Sequence, residues 1–425
     1  MKKKMKMMLW AITFCLLLIV PAAASGKDGW QNMGTTYTQY YRNEMPVTGI
    51  QTINGKAFYF DSKGYLKRNS WVYVGADTYR TNSHGQIIKK RIVKLGEKSY
   101  CFYSDGRLRR NAWVYIGKNT YRTNSHGQVI TKILVKLDEN HYSFYADGNL
   151  RRNAWVSVNG KTYRTNSHGM IIKNKLVKLD GKVYYFKANG RLMKGWMTFK
   201  AGKSYFNSDG SRCTGEKRIG GKTYLFYSNG NLTGYLMTGK TSYTSGNTTY
   251  YLDGKGVVEM KVVKTGGIEK YYNTAGKQMS NAQGLDYVTF QTAKGIAASI
   301  TNSSMTMEQK LQTCFDWVIR KPYITWRQFS SFDGWIPTYA NDHFLRGGGN
   351  CQSDAAAFAY LAKAIGYTEI YVCVDSDGTN PNGHSWTEIN GKVYDPLFAE
   401  AKNYYAYYGA SYASYVLYPI LHIKL

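Results

Sequence analysis

The sequence predicts a multidomain chain, a β-hairpin solenoid followed by a smaller α+β domain. Three observations predict it. A motif recurs at a 42-residue spacing through the middle of the chain. Nearly all of the excess positive charge lies in that same middle. Beyond it the hydrophobic period changes from that of strands to that of helices, and a cysteine, a histidine and an aspartate follow on successive elements. The length of 425 residues fits two to four domains of about 100–200 residues.

The first element is an address. MKKKMKMM is a basic lead, Leu9 to Val20 is an apolar run, and small residues at Ala22 and Ala24 follow. This is the three-part layout of a secretory signal peptide, predicted over 1–24 with cleavage after Ala24. The run is short for a transmembrane helix, which needs about 20 residues. Cys15 lies within the run, too early for lipidation at the cut. Residues 25–48 read as a linker.

Composition sets the limits for the rest. Hydrophobic residues make up 43% of the chain, enough to bury cores, which excludes wholesale disorder. Six cysteines are too few for a disulfide scaffold. No second apolar stretch follows the first, which excludes a polytopic membrane protein. The whole chain carries 56 Lys+Arg against 27 Asp+Glu, a net charge of +29. Residues 49–283 hold 40 basic and 13 acidic side chains, whereas residues 284–425 hold 10 and 12. Two parts with two jobs are implied, since charge of this size concerns partners rather than fold.

The second element, residues 49–283, is the repeat array. NSWVYVGADTYRTNSHGQII starts at Asn69, NAWVYIGKNTYRTNSHGQVI at Asn111 and NAWVSVNGKTYRTNSHGMII at Asn153. Each 42-residue period contains two units of 21, and each unit reads as two short aromatic strands around a glycine turn. About eleven such hairpins fit before Asn281. A lone hairpin is marginal in water, so the array is expected to stack into an elongated β-solenoid. Low proline (7), high glycine (43) and high tyrosine (39) agree with this.

These units resemble the cell-wall-binding repeats of bacterial surface proteins, of the choline-binding and glucan-binding type. The matching pieces are Asn-Gly-Lys or Asp-Gly-Lys, an aromatic pair, Asp-Gly, then Gly-Trp; Asp180-Gly181-Lys182-Val183-Tyr184-Tyr185-Phe186 through Gly195-Trp196 matches best. The resemblance implies ligands held in aromatic cages between hairpins, at Trp71, Trp113, Trp155 and Trp196 with Tyr184 and Tyr185. The chain departs from the pattern in having Asn-Ser-Trp or Asn-Ala-Trp for Gly-Trp, with Lys67-Arg68, Arg109-Arg110 and Arg151-Arg152 before three of the tryptophans. Fixed cations oppose a quaternary ammonium ligand, whose cation–π attraction is worth about 0.5–2 kcal/mol. The expected partner is therefore a cell-wall polymer, teichoic acid or another glycan. Nucleic acid is not expected, because the basic residues recur around a solenoid and are not gathered on one docking element. His84, His126 and His168 fall in turns where other units have Asp105 or Asp147, so no metal is expected. No cofactor is expected either, and no membrane once the signal is removed.

The third element, residues 284–425, carries chemistry. Leu311, Cys314, Phe315 and Val318 lie on one face of a helix over Met307–Lys321, ended by Pro322. Gly347-Gly348-Gly349-Asn350-Cys351 then leads, as a flexible run, into a second helix. Asn350 is its N-cap, Ala355, Phe358, Ala359 and Ala362 its buried stripe, and Gly366 its stop. Cys351 is thus the first residue of a buried helix, whose N-terminus carries roughly half a positive charge. That is the place for a nucleophilic cysteine. IYVCV (370–374) reads as a strand, and HSWTEI and KVYD as a hairpin about Asn390-Gly391. Pairing Ile389 with Lys392 puts His384 and Asp395 on one face as diagonal neighbours, about 7–8 Å apart. Asp395 then holds the imidazole while His384 takes the thiol proton. His343 and His422 are alternative bases without a placed partner. Cys314 and Cys373 read as core.

Cys, His and Asp in this order resemble the transglutaminase-like superfamily of papain-type thiol enzymes. The motifs are Gly349-Asn350-Cys351-Gln352, Gly383-His384-Ser385-Trp386 and Val393-Tyr394-Asp395-Pro396, within roughly residues 290–400. The resemblance implies acyl transfer: thiolate attack on an amide, a thioester, then attack by water or an amine. The Cys351 N–H is one oxyanion donor, and Trp335 is the side-chain candidate because its indole donates. Three readings compete: a peptidase or amidase acting on wall peptides or proteins, which is preferred; a cross-linking transamidase; and a wall-binding protein with a degenerate triad. The Tyr-rich tail, Tyr404 to Tyr418, is expected either to cover the cleft or to finish the sheet.

Overall fold

A computed structural model describes residues 26–33, 37–378 and 383–425. The expected signal segment lies outside the described residues. No helix among the described residues is long and apolar enough to cross a membrane. The chain divides into two compact units, Met1–Met193 and Lys194–Leu425.

The first unit opens with a three-stranded antiparallel sheet, Gly29–Met33, Tyr37–Arg42 and Met45–Pro46. The stretch expected as a linker is therefore a β-meander. Its Trp30 ring meets Phe58 of the following hairpin at 5.0 Å, so the packing pattern starts before the sequence motif does. Seven two-stranded hairpins follow, from Gly49–Phe60 to Lys175–Phe186.

A backbone ladder sets the period. The N–H groups of Ile87, Leu108, Val129, Leu150, Ile171 and Leu192 donate to the carbonyls of Ala57, Thr78, Ser99, Thr120, His141 and Thr162 at 2.7–2.8 Å. Donors and acceptors both step by 21 residues, so each connecting segment pairs with the preceding hairpin. The inner column alternates Phe60, Thr81, Phe102, Thr123, Phe144, Thr165 and Phe186, each no more than 1% exposed. The threonines also bind the neighbouring backbone, since Oγ1 of Thr81, Thr123 and Thr165 accepts the N–H of Ser70, Ala112 and Ala154 at 3.0–3.1 Å. A buried hydroxyl needs such a partner, and this alternation doubles the 21-residue unit to 42. Gly127 shows why turns in the array need glycine. Its φ is +72°, and a Cβ there would lie 2.5 Å from Cγ of Leu108.

The second unit starts with two further hairpins, Gly195–Phe206 and Gly215–Phe226. The repeats after them merge into one four-stranded meander, Ser242–Asn273, because strand Val258–Thr265 pairs on both edges. This accounts for fewer separate hairpins than the repeat count predicts. Helix α1 (Asn281–Ile300) then starts on a capping box between Ser280 and Gln283. Its Gly284 lets the helix meet the meander: a Cβ would sit 2.0 Å from the Tyr271 ring.

Helices α2 (Met307–Ile319), α3 (Trp335–Arg346) and α4 (Cys351–Ile365) complete a layer against a five-stranded antiparallel sheet. The strand order is Tyr408–Ala410, Lys392–Tyr394, Ser385–Ile389, Ile370–Val374, Leu421–Lys424. The predicted face of α2 is the buried one, with Leu311, Cys314, Phe315 and Val318 at most 1% exposed. Burying a Leu, Phe or Val side chain is worth roughly 1.5–3 kcal/mol. Helix α4 is buried on every face, between α1, α2 and α3 on one side and the two central strands on the other. Its alanines allow that close approach, and Thr387 Oγ1 of the sheet donates to the Ala355 carbonyl at 2.8 Å.

Candidate active site

The site is built at the N-terminus of α4. Asn350, in extended conformation, accepts the Ser353 N–H on its side-chain oxygen at 3.2 Å, and its carbonyl accepts the Asp354 N–H. The N–H groups of Cys351 and Gln352 belong to the first turn of the helix, whose N–H groups have no carbonyl partner within the helix. The glycines before Asn350 do not form the flexible run the sequence predicts. A Cβ on Gly348 would lie 2.3 Å from the Pro322 carbonyl oxygen, and one on Gly349 2.1 Å from Cβ of Ser353. Trp326 Nε1 donates to the Gly348 carbonyl and the Ile324 N–H to that of Gly349, both at 2.9 Å. Gly348 and Gly349 serve close packing, while Gly347 ends α3 at positive φ.

The imidazole comes from the sheet. Hairpin pairing Ile389 with Lys392 is the observed register, turned through Asn390 and Gly391 at positive φ. Asp395 follows the second strand directly and is fully buried. His384 Nε2 lies 2.7 Å from Asp395 Oδ2. The His384 N–H donates to Asp375, and the Asp375 N–H returns to the His384 carbonyl at 3.1 Å. Gly383 brings the loop to the helix: its carbonyl accepts Gln352 Nε2, and Cys351 Sγ lies 3.8 Å from it. Phe398 stacks on the imidazole, with centroids 4.1 Å apart.

The electrostatics are decided by opposing effects. Burial pushes the His384 pKa down, as desolvation of a cation must. Hydrogen bonds to Asp395 and to Cys351, with the charges of both, outweigh it, and the pKa ends up at about 9. The imidazole therefore keeps its second proton through neutral pH, beside Cys351 and the buried carboxylate. The Asp395 carboxylate takes three donors: Oδ2 also accepts the Tyr415 hydroxyl at 2.8 Å, and Oδ1 accepts the Phe398 N–H at 3.0 Å, capping α5 (Pro396–Ala401).

Cys351 and His384 open onto a cleft of about 420 Å³, lined also by Tyr323, Thr325, Gln328 and Leu397. Cys351, His384 and Asp395 are thus brought together. Trp335 is not: it opens α3 inside the core, its ring 5.3 Å from Phe329 and 5.8 Å from Tyr339, and it does not line the cleft. An indole at the start of α3 packs inward because that face is the apolar one. The alternative bases are engaged elsewhere. His343 is fully buried on Asp354, at 2.9 Å, and desolvation raises that carboxyl to about 6 despite the histidine. His422 pairs with Glu388 at 2.9 Å and stacks on Tyr371. Cys314 and Cys373 are fully buried, and burial pushes each thiol up to about 12.

Sequence reasoning missed Tyr415, Gln352 as a tie to the histidine loop, and Phe398 beneath the imidazole. Gln352 and Phe398 stand beside motif residues; Tyr415 has no local signal at all. Of the two roles expected of the tail, it takes the second: Tyr408–Ala410 extends the sheet, none of the tail residues lines the cleft, and Tyr415 reaches the aspartate.

In the repeats, each tryptophan meets rings of a later hairpin. Trp71 lies 5.0 Å from Tyr100, Trp113 5.2 Å from Tyr142, Trp155 5.3 Å from Tyr184, and Trp196 5.0 Å from Tyr224, all edge to face. Tyr185 points elsewhere, its hydroxyl 2.7 Å from Asn174 Oδ1. The turn histidines are exposed, their N–H groups held by Asn82, Asn124 and Asn166.

A family model described as a putative cell wall binding repeat matches residues 174–192, which contain the hairpin Lys175–Phe186. No curated protein matches the chain. Among solved structures the chain is similar to the modular autolysin LytC from Streptococcus pneumoniae, with 19% identity over 60% of this chain and 53% of that one, at a TM-score of 0.42. It is similar to choline binding protein F from the same organism, with 19% identity over 60% of this chain and all of that one, at 0.37. It is similar to the choline-binding domain of CbpL, also from Streptococcus pneumoniae, with 23% identity over 50% of this chain and 97% of that one, at 0.35. The chain spans about half the length of the autolysin it matches.

Proposed function

We propose that the chain is a secreted thiol enzyme tethered to the bacterial cell wall, cleaving amide bonds of wall peptides or wall proteins. The observation that carries the reading is the convergence of Cys351, at the head of a buried helix, with an imidazole that a buried carboxylate holds protonated. With the proton of the Cys351–His384 pair already on the imidazole, the Cys351 sulfur attacks the amide carbonyl carbon. The carbonyl oxygen, now negative, is held by the first-turn N–H groups of α4. The C–N bond breaks as His384 returns the proton to the departing amine, leaving a thioester. Water then gives a proton to the imidazole and attacks the thioester, the C–S bond breaks, the acid is released, and the protonated imidazole beside the free sulfur is restored.

The repeats support the tether. They contain the segment that matches a cell wall binding repeat, and nearly all the excess positive charge, complementary to an anionic wall polymer such as teichoic acid. Holding enzyme and substrate on one surface raises their effective concentration.

The test is digestion of purified walls and wall proteins by the full chain and by Cys351→Ala, with and without an added primary amine. Release of new acid by the wild type alone supports hydrolysis. Incorporation of the amine in place of acid would make the enzyme a transamidase. Equal products from both proteins would leave only the tether.

A further inference from the structure

The tryptophans of the three Asn-Ser/Ala-Trp units already have a cation on them. Arg80, Arg122 and Arg164 stand directly across the hairpin from Trp71, Trp113 and Trp155. Their guanidinium carbons lie 5.5, 5.4 and 5.2 Å from the indole centroids. The ring face on which a quaternary ammonium would sit is occupied by the chain's own arginine, at cation–π distance.

Among the described residues none of the three arginines has a carboxylate partner. Arg122 gives one guanidinium nitrogen to the Asn111 carbonyl at 2.6 Å, while its Nε, like that of Arg80, is buried without a partner. Arg122 and Arg164 each line a groove, of about 780 and 480 Å³, and the two grooves repeat one another at 42 residues. Arg122, Asn124 and Ser125 in the first correspond to Arg164, Asn166 and Ser167 in the second. Lys94, Lys98 and Lys132 add positive charge to the first, against the carboxylates of Glu97 and Asp147, and Lys173 and Lys175 add it to the second, which has no carboxylate in its lining. Over residues 49–193 the chain carries 27 basic and 8 acidic side chains.

We infer that these grooves bind a phosphodiester-linked polyol chain, with Arg122 and Arg164 as phosphate ligands, and that their tryptophans do not take choline. The inference deepens, and rests on, the wall-tether reading. A guanidinium oriented by its own indole and a neighbouring carbonyl presents its remaining N–H fork to a planar or tetrahedral oxyanion with little loss of side-chain freedom. The lysines supply further point charges. Corresponding grooves at a fixed chain interval favour a polymer whose anions also repeat, because the second contact is then intramolecular.

The full chain, wild type and R122Q/R164Q, is passed over immobilised poly(glycerol phosphate), and over polygalacturonate at matched charge. The wild type is expected to be retained by the phosphate polymer and released by NaCl, with choline chloride no better than NaCl at equal concentration. R122Q/R164Q is expected to bind about tenfold or more weakly with a shallower salt dependence, and R122K/R164K to keep part of the binding, which separates lost ligands from lost folding. Equal retention of R122Q/R164Q, or specific release by choline, overturns the inference. Equal retention on polygalacturonate overturns its assignment to phosphodiester. Sedimentation with whole walls keeps the two readings apart. A wild type that binds walls but not poly(glycerol phosphate) fails only this inference, whereas one that binds no wall fails the tether itself.

Discussion

The hydroxyl of Tyr415 donates to Oδ2 of Asp395 at 2.8 Å, the same oxygen that takes His384 Nε2 at 2.7 Å. The aspartate is thus oriented by three donors: the imidazole, the tail phenol and the Phe398 N–H. Removing the phenol leaves the charge and the other two bonds in place. Tyr415→Phe is expected to cost about 1 kcal/mol of stability and to lower kcat by about tenfold, with KM nearly unchanged. Amide-cleavage kinetics with a denaturant titration check it. An unchanged kcat would mean that the imidazole is held without the tail.

Asp395→Asn tests the charge and not the shape. The amide still caps α5, but it no longer favours the imidazolium, and its NH2 group offers a donor where His384 needs an acceptor. The expected fall in kcat is about 10³-fold or more. Iodoacetamide alkylation of Cys351 at pH 6, read by mass spectrometry, is expected to slow by about tenfold or more in this variant and in His384→Ala. Alkylation at wild-type rates in both would show a thiol that does not use the histidine.

The raised pKa of His384 makes stability depend on pH. The folded state binds the second imidazole proton more tightly than the unfolded chain, whose histidine titrates near 6.5. The resulting stabilisation is fully present below about pH 6.5 and is lost as pH rises through about 9. A shift of this size corresponds to about 3 kcal/mol. The Tm of the transition that carries the site is expected to fall over that window. The fall should be smaller in Cys351→Ala, which lacks one of the groups holding the proton. A pH-independent Tm between 6.5 and 9 would refute the coupling.

How much of this was legible depended on the range of the contacts. The 42-residue motif displays the hairpins directly, since each strand pair and turn is local in sequence. The triad's order was legible for the same reason: Asn350 caps the helix of Cys351, and a two-residue turn fixes the register that carries His384 toward Asp395. The sequence says less where a residue is used by something distant. Tyr415 reaches Asp395 from a tail with seven tyrosines between 404 and 418 and no period. Trp335 looked like a donor because it stands upstream of the cysteine, yet Phe329 and Tyr339 hold it in the core. The glycine run suggested freedom, whereas Pro322 and Ser353 leave no room for a side chain. The arginines over the indoles were in view as part of the Tyr-Arg-Thr motif. Their meaning required the cross-strand pairing of Trp113 with Arg122.

The repeat array allows a paired test of its glycines. Gly127 and Gly117 both have positive φ, +72° and +58°, but a Cβ at Gly127 would lie 2.5 Å from Leu108 Cγ, while one at Gly117 meets nothing within 4 Å. Both alanine variants bear the left-handed backbone cost of about 1–2 kcal/mol. Gly127→Ala adds an overlap with a buried aliphatic chain, worth about 1–3 kcal/mol. Its Tm shift is therefore expected to be about twice that of Gly117→Ala. Because the collision is with one side chain, Leu108→Ala combined with Gly127→Ala should cost less than the two changes added separately. Equal shifts for the two glycine variants, with additive behaviour in the double variant, would mean that glycine is required in these turns for backbone conformation alone. Leu108 would then have room to move aside.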